Sequence, residues 1–168
     1  MRATKPAQTN QPGAQSPAVA LKLTRPLVSV WTVLSVTELS NEDAVLEAIE
    51  SGELRWAFNI ARPKSGKRSI RVLSQSVSEY IARTPAPRIS DAEELAQIVR
   101  KLFPIYGAAI RVTQLARDWN ASGTHIIHLV DERELRLAKG SPRRAGRGGS
   151  PLIEVASVVE FLKRRRVL

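Results

Sequence analysis

Two stretches of the chain show the same succession of periodicities: helical, helical, alternating, then helical again. The later stretch is the clearer. Thr113–Trp119 has helical spacing, with Thr113 as its expected N-cap. The polar stretch Asn120-Ala-Ser-Gly123 follows, and glycine in so short a turn is the usual joint between steeply crossing helices. A second helix is predicted from Ser122. Its Ile126, Ile127 and Val130 form an inward stripe, which leaves Thr124, His125 and His128 outward. After Glu134-Leu135 the chain reads as extended on both sides of a Gly- and Arg-rich loop, Lys139–Gly149. Leu152–Val155 is the return strand and Ser157–Arg166 a closing helix.

The earlier stretch repeats this at a constant offset of 81 residues, without a gap, from Thr32 to Ile81. Thr32 falls on Thr113, Leu34 on Leu115, Val45-Leu46 on Ile126-Ile127, and Ile49 on Val130. Glu53-Leu54-Arg55 falls on Glu134-Leu135-Arg136, and Ser76-Val77 and Tyr80 fall on Ser157-Val158 and Phe161. Equal spacing at both ends implies an internal duplication. The hairpin of the first copy is expected as Arg55–Ile60, a turn at Pro63–Gly66, and Arg68–Leu73, alternating with period two. Trp31, Trp56 and Trp119 fall at apolar positions of these elements and are expected in the core.

The run VTQLARDWNASGTHIIHLVDERELRLAKG, followed by RGGSPLIEVASVVEFLKRR, resembles the excisionase and MerR-like group of winged helix-turn-helix DNA-binding domains. Ala116, Ser122, Leu135, Ser157, Phe161 and Leu162 carry the resemblance. The corner reads Arg133-Glu134-Leu135 in place of Gly-x-Leu, the turn has Asn-Ala where Leu-Gly is common, and the wing is longer. The fold class expected is mainly α with small β-hairpin wings (α+β): two tandem winged helix-turn-helix domains joined by a linker helix. The boundaries are 1–24 for a disordered basic tail, 25–84 for the first domain, 85–104 for the linker, and 105–168 for the second domain. The stiff break Thr84-Pro-Ala-Pro87 leads into the linker. It continues as a helix capped by Ser90 and Glu93, with Leu95, Ile98, Val99 and Leu102 on one stripe and Pro104 ending it. That helix either buries the seam between the domains or supplies a contact for a homo-oligomer, and the sequence leaves both open.

Charge then separates the two copies. The chain has 168 residues and a formal net charge of +10, with aromatics at only 5%. Such a balance favours a polyanionic partner, and few aromatics argue against recognition by extensive base stacking. The basic excess lies in the tail and the second copy. The second helix of the first copy carries Glu42, Asp43, Glu47 and Glu50 without a basic residue, so it is expected to stay out of a DNA groove. The basic residues of the first copy sit in its wing: Arg62, Lys64, Lys67, Arg68 and Arg71. Cysteine is absent, which removes disulfides and thiolate chemistry. The longest apolar run, Leu27–Val36, is too short to span a bilayer. A cytoplasmic, nucleoid-associated protein with no membrane partner is expected.

The candidate site follows from these features. Ser122, Thr124, His125 and His128 form the expected recognition helix, whose side chains reach base edges. Lys139, Arg143, Arg144 and Arg147 form the expected DNA-binding wing. Arg117, Lys64, Lys67, Arg68, Lys163 and Arg164 are candidate phosphate contacts. His125 and His128 with Asp131 and Glu132 make a poor metal site, lacking a third histidine or a cysteine. Ser65-Gly-Lys67 fails as a phosphate-binding loop because Ala61 and Arg68 stand at required positions. No catalytic constellation, metal or cofactor is expected. What the resemblance implies is a non-enzymatic, sequence-specific double-stranded DNA-binding protein, acting as a recombination directionality factor of the excisionase type or a transcription regulator. The alternative is a tandem adaptor in a recombination, replication or chromosome-organising complex, with a recombinase or other protein held by the first domain.

Overall fold

The structure is a computed structural model describing residues 23–83, 93, 98, 107–143 and 149–167. The chain is a mixed α/β protein with six helices and small antiparallel sheets among the described residues. The first half runs β1 (Leu27–Ser29), α1 (Val30–Leu34), α2 (Glu42–Glu50), β2 (Ala57–Asn59), β3 (Ile70–Leu73) and α3 (Ser74–Ile81). The second runs β4 (Ala109–Arg111), α4 (Val112–Asp118), α5 (Gly123–Asp131), β5 (Leu152–Glu154), α6 (Val155–Arg164) and β6 (Arg166–Val167). Between α5 and β5, Leu137 bridges Ile153 antiparallel, at the place that β2 holds in the first half.

The same local chemistry builds corresponding elements. Asn41 caps α2 by accepting from the Ala44 amide at 2.8 Å, and Ser122 caps α5 by accepting from the His125 amide at 3.1 Å. Both helices leave through one backbone pattern: Gly52 N–H to Ile49 O and Leu54 N–H to Ala48 O, against Arg133 N–H to Val130 O and Leu135 N–H to Leu129 O. The residue at the corner is left-handed in each, Gly52 at φ +80 and Arg133 at φ +61. The register of 81 holds for α2 with α5 and for the starts of α3 and α6. It shifts to 82 at the first helix, where buried Val33 matches buried Leu115 and Leu34 does not. Thr113 is not the cap of α4. Arg111 precedes that helix without a side-chain cap, and Thr113 lies exposed in the first turn. The closing helix begins at Val155, before Ser157, whose buried hydroxyl accepts from the Arg136 amide and donates to Glu154 O.

The halves are packed into each other. The first sheet has the order β1-β3-β2-β6, so its last strand comes from beyond α6: Ala57 pairs with Val167 and Phe58 with Arg166. One face of that sheet, with Val28, Ala57, Ile70 and Val72, covers α1, α2 and α3 through Val33, Val45, Ile49 and Val77. The opposite face, with Leu27, Trp56, Phe58, Ile60 and Leu73, joins a single buried cluster with Leu115, Trp119, Ile126, Leu129 and Phe161 of the second half. Trp119 and Phe161 stack there with centroids 5.4 Å apart. A strand buried on both faces must be apolar at successive positions, which accounts for Leu27-Val28 and for the run from Trp56 to Phe58. The expected linker, with its Ser90 cap, lies outside the described residues apart from Glu93 and Ile98, both helical; of its apolar stripe only Ile98 is described, and it is buried in the shared cluster. Trp31, expected inside, is 81% exposed.

Arg71 shows what the seam demands. It stands on β3 between Ile70 and Val72, so period-two alternation points it at the second half. Its Nε donates to Trp119 O at 2.9 Å and its Nη2 to Asn120 O at 3.0 Å, while Nη1 donates to Ile70 O at 2.9 Å. Burial lowers its guanidinium from the ordinary value, yet four carbonyl and hydroxyl acceptors hold it. Asn120 takes φ +49, the left-handed region that asparagine tolerates better than most residues. Arg71 therefore ties the two halves and is not a wing cation.

Candidate nucleic-acid interface

Helix α5 presents three stripes, as side chains three and four residues apart must. Ile126 and Leu129 face the core and are buried; Ile127 and Val130, expected with them, are only half-buried. The second stripe, His125, His128 and Glu132, meets the hairpin of the first half. His125 Nε2 lies 2.7 Å from Ile60 O, and His128 Nδ1 lies 3.2 Å from Arg62 Nη1. Arg62 Nε donates to Glu132 Oε1 at 2.7 Å, and Nη2 reaches the same oxygen. The third stripe, Thr124, Ile127 and Asp131, lines a groove of about 710 Å³ together with His128 and Arg143. Arg143 Nη2 donates to Asp131 Oδ1 at 2.7 Å, which closes that groove on the side of the second hairpin.

The expected recognition residues thus divide. Thr124 is exposed and open. Ser122 is exposed, but its hydroxyl caps the helix. His125 and His128 are half-buried and held by the first half, so they do not stand free on an outward face. Of the expected wing, Lys139 is exposed, Arg143 is exposed but ion-paired, and Arg144 and Arg147 lie outside the described residues. Among the candidate phosphate contacts, Arg117, Lys64, Lys67, Arg68 and Lys163 are exposed. Arg164 is exposed too, with its Nη2 3.3 Å from Glu134 Oε2. Ile127 and Asp131 were absent from the expected site. Their helical spacing from Thr124 was the signal available, and the pairing of Asp131 with Arg143 had no local signal.

The equivalent helix of the first half is chemically opposite. Asp43 holds the place in α2 that Thr124 holds in α5, and Glu42, Asp43, Glu47 and Glu50 are all exposed with no cation partner among the described residues. Beside α1, Trp31 lines an open groove with Thr24, Arg25, Val28, Thr32, Ser35 and Asn120, where Arg25 Nη1 donates to Asn120 Oδ1. In α4, Asp118 is buried and accepts from Gln114 Nε2 at 2.8 Å; burial raises its carboxyl, opposed by that hydrogen bond and by Arg117.

Among the described residues, no group of three or more His, Asp or Glu is placed to hold a metal ion. No described helix is long and apolar enough to cross a membrane. No family model, curated protein or solved structure matches the chain.

Proposed function

We propose that the chain is a non-enzymatic, sequence-specific double-stranded DNA-binding protein built of two tandem winged helix-turn-helix units joined by a linker helix. The observation that carries this reading is the setting of α5. A capped helix shows one open stripe, Thr124 and Ile127, and is flanked on both sides by basic hairpins. A helix narrow enough to enter a major groove reads base edges, while flanking cations grip phosphates. The two halves act as one body, because the sheet of the first is buried against the second. Within this reading the closest role is an accessory one on DNA, as an excisionase-type directionality factor or a transcription regulator; that role rests on the sequence resemblance.

The test uses the full chain, since either half alone would uncover Trp56, Phe58 and Ile60 or Trp119 and Phe161. Selection from a random duplex pool should enrich a defined site. With about five phosphate contacts, log K should fall with log salt at a slope of roughly −4 to −5. Thr124→Ala should relax preference at one base pair by about 0.5–1.5 kcal/mol, the contribution of one neutral hydrogen bond, and leave the slope unchanged. A pool that stays random after selection removes sequence-specific binding.

A second reading, a protein adaptor, is favoured by the first half alone. Its exposed acidic α2 and its exposed Trp31 suit a basic protein segment such as one from a recombinase. Trp31→Ala should leave DNA affinity and stability unchanged and weaken such a complex. Loss of DNA binding in that variant would instead place Trp31 on the duplex.

A further inference from the structure

We propose that the loop 62–68 of the first half is a phosphate-gripping arm for α5 of the second half, so that one duplex is held by cations from both copies on a single face. This rests on the reading of the chain as a duplex-binding protein. The arm is anchored at its base by Arg62 on Glu132 and His128, and by Ile60 O at His125 Nε2. Beyond the anchor it turns sharply: the Ser65 amide donates to Arg62 O at 3.1 Å, and Gly66 takes φ +63, a conformation that strains any side chain. The turn leaves Lys64, Lys67 and Arg68 exposed, with no carboxylate within ion-pair distance among the described residues. Lys64 is two residues past Arg62, so its backbone lies within roughly 7 Å of the anchor.

Two comparisons single out this arm. The cations that touch α5 directly, Arg62 and Arg143, are already neutralised by Glu132 and Asp131. On the two flanking hairpins, unneutralised charge therefore lies farther along each, and in the first hairpin that means Lys64, Lys67 and Arg68. The arm also has no use beside its own helix. Glu42, Asp43, Glu47 and Glu50 on α2 repel the same phosphates that the arm attracts. In this protein a hairpin and a helix from different copies form the working pair.

The chain contains no cysteine, so single-cysteine variants can be labelled cleanly. Lys67→Cys and Thr124→Cys, each carrying an iron chelate, should cut a selected duplex at positions within one helical turn of each other, about 10 base pairs. In parallel, the triple variant Lys64→Gln, Lys67→Gln, Arg68→Gln should keep the wild-type unfolding midpoint. Its log K against log salt should be shallower by about 2–3, at roughly 0.9 per phosphate contact. Cleavage sites more than a turn apart, or a slope unchanged in the triple variant, would overturn the arm while leaving duplex binding intact. An equal loss of slope on single-stranded DNA would also overturn it, by making the arm a general polyanion contact. A wild-type chain without salt-dependent duplex binding would remove the arm and the proposed function together.

Discussion

Replacing Arg71 with methionine tests whether the two halves are one folding unit. Methionine keeps most of the apolar stem but removes every donor, so the packing change is small and the polar change is isolated. Trp119 O and Asn120 O lose the hydrogen bonds at 2.9 and 3.0 Å that cross the seam. A hydrogen bond from a charged donor contributes about 1.5–3 kcal/mol. The side chain is half-buried, so water replaces part of the loss and the lower end applies to each bond. The expected destabilisation is therefore about 3 kcal/mol, or roughly 6–12 °C in Tm for a chain of this size. Urea unfolding followed by tryptophan fluorescence reads it well, because Trp56 and Trp119 are both buried in the shared cluster. The wild type and the variant should each unfold in one transition. A loss under about 0.5 kcal/mol, or two separated transitions in the wild type, would refute the single-unit argument.

The corner after each second helix offers a reciprocal pair of substitutions. Arg133→Gly should stabilise by about 0.5–1 kcal/mol, because a non-glycine residue in the left-handed region costs roughly 1–2 kcal/mol and glycine returns part of that as chain entropy. Gly52→Ala should destabilise by about 1 kcal/mol through backbone strain alone, since a Cβ there meets nothing within 4 Å; thermal melts of both variants check the opposite signs. Asp118→Asn concerns pH. Burial raises the folded carboxyl above its ordinary value of 3.8, so the native state takes up its proton first and wild-type stability rises as pH falls through the folded value towards 3.8. The variant should be the more stable at pH 7, with the gap narrowing on acidification, and a gap that does not change with pH in urea titrations would exclude Asp118 as its source.

The repeated order of elements was legible because the features that end helices are local. Ser122 caps its helix as its position implied, and Leu54 and Leu135 follow the ends of α2 and α5 at equal spacing, both buried. The slip by one residue at the first helix was not legible, since Val33 and Leu34 are both apolar and only burial separates them. The seam was hidden for a different reason. Trp56, Phe58 and Ile60 announce a buried face, yet alternation does not say what covers it. Arg71 between Ile70 and Val72 has the pattern of a solvated position, and its acceptors across the seam are backbone carbonyls 48 and 49 residues away. His125 and His128 looked outward for the same reason: Arg62, which meets Glu132 and His128, is 70 and 66 residues earlier. Polar stripes report that a face is not core, and they do not report whether water or another polar surface lies against it.

The strand β6 has a consequence for how the protein is made. During synthesis β1, β2 and β3 emerge before the partner for the far edge of β2 and before the cover for Trp56, Phe58, Ile60 and Leu73. A nascent chain carrying only the first half holds an open strand edge beside a bare aromatic face, the combination that invites mispairing between chains. The edge and the outer face of the first half's sheet are completed only when the later half is present, and crowded polysomes or a lack of chaperone capacity are the conditions under which the protein's yield should fall first.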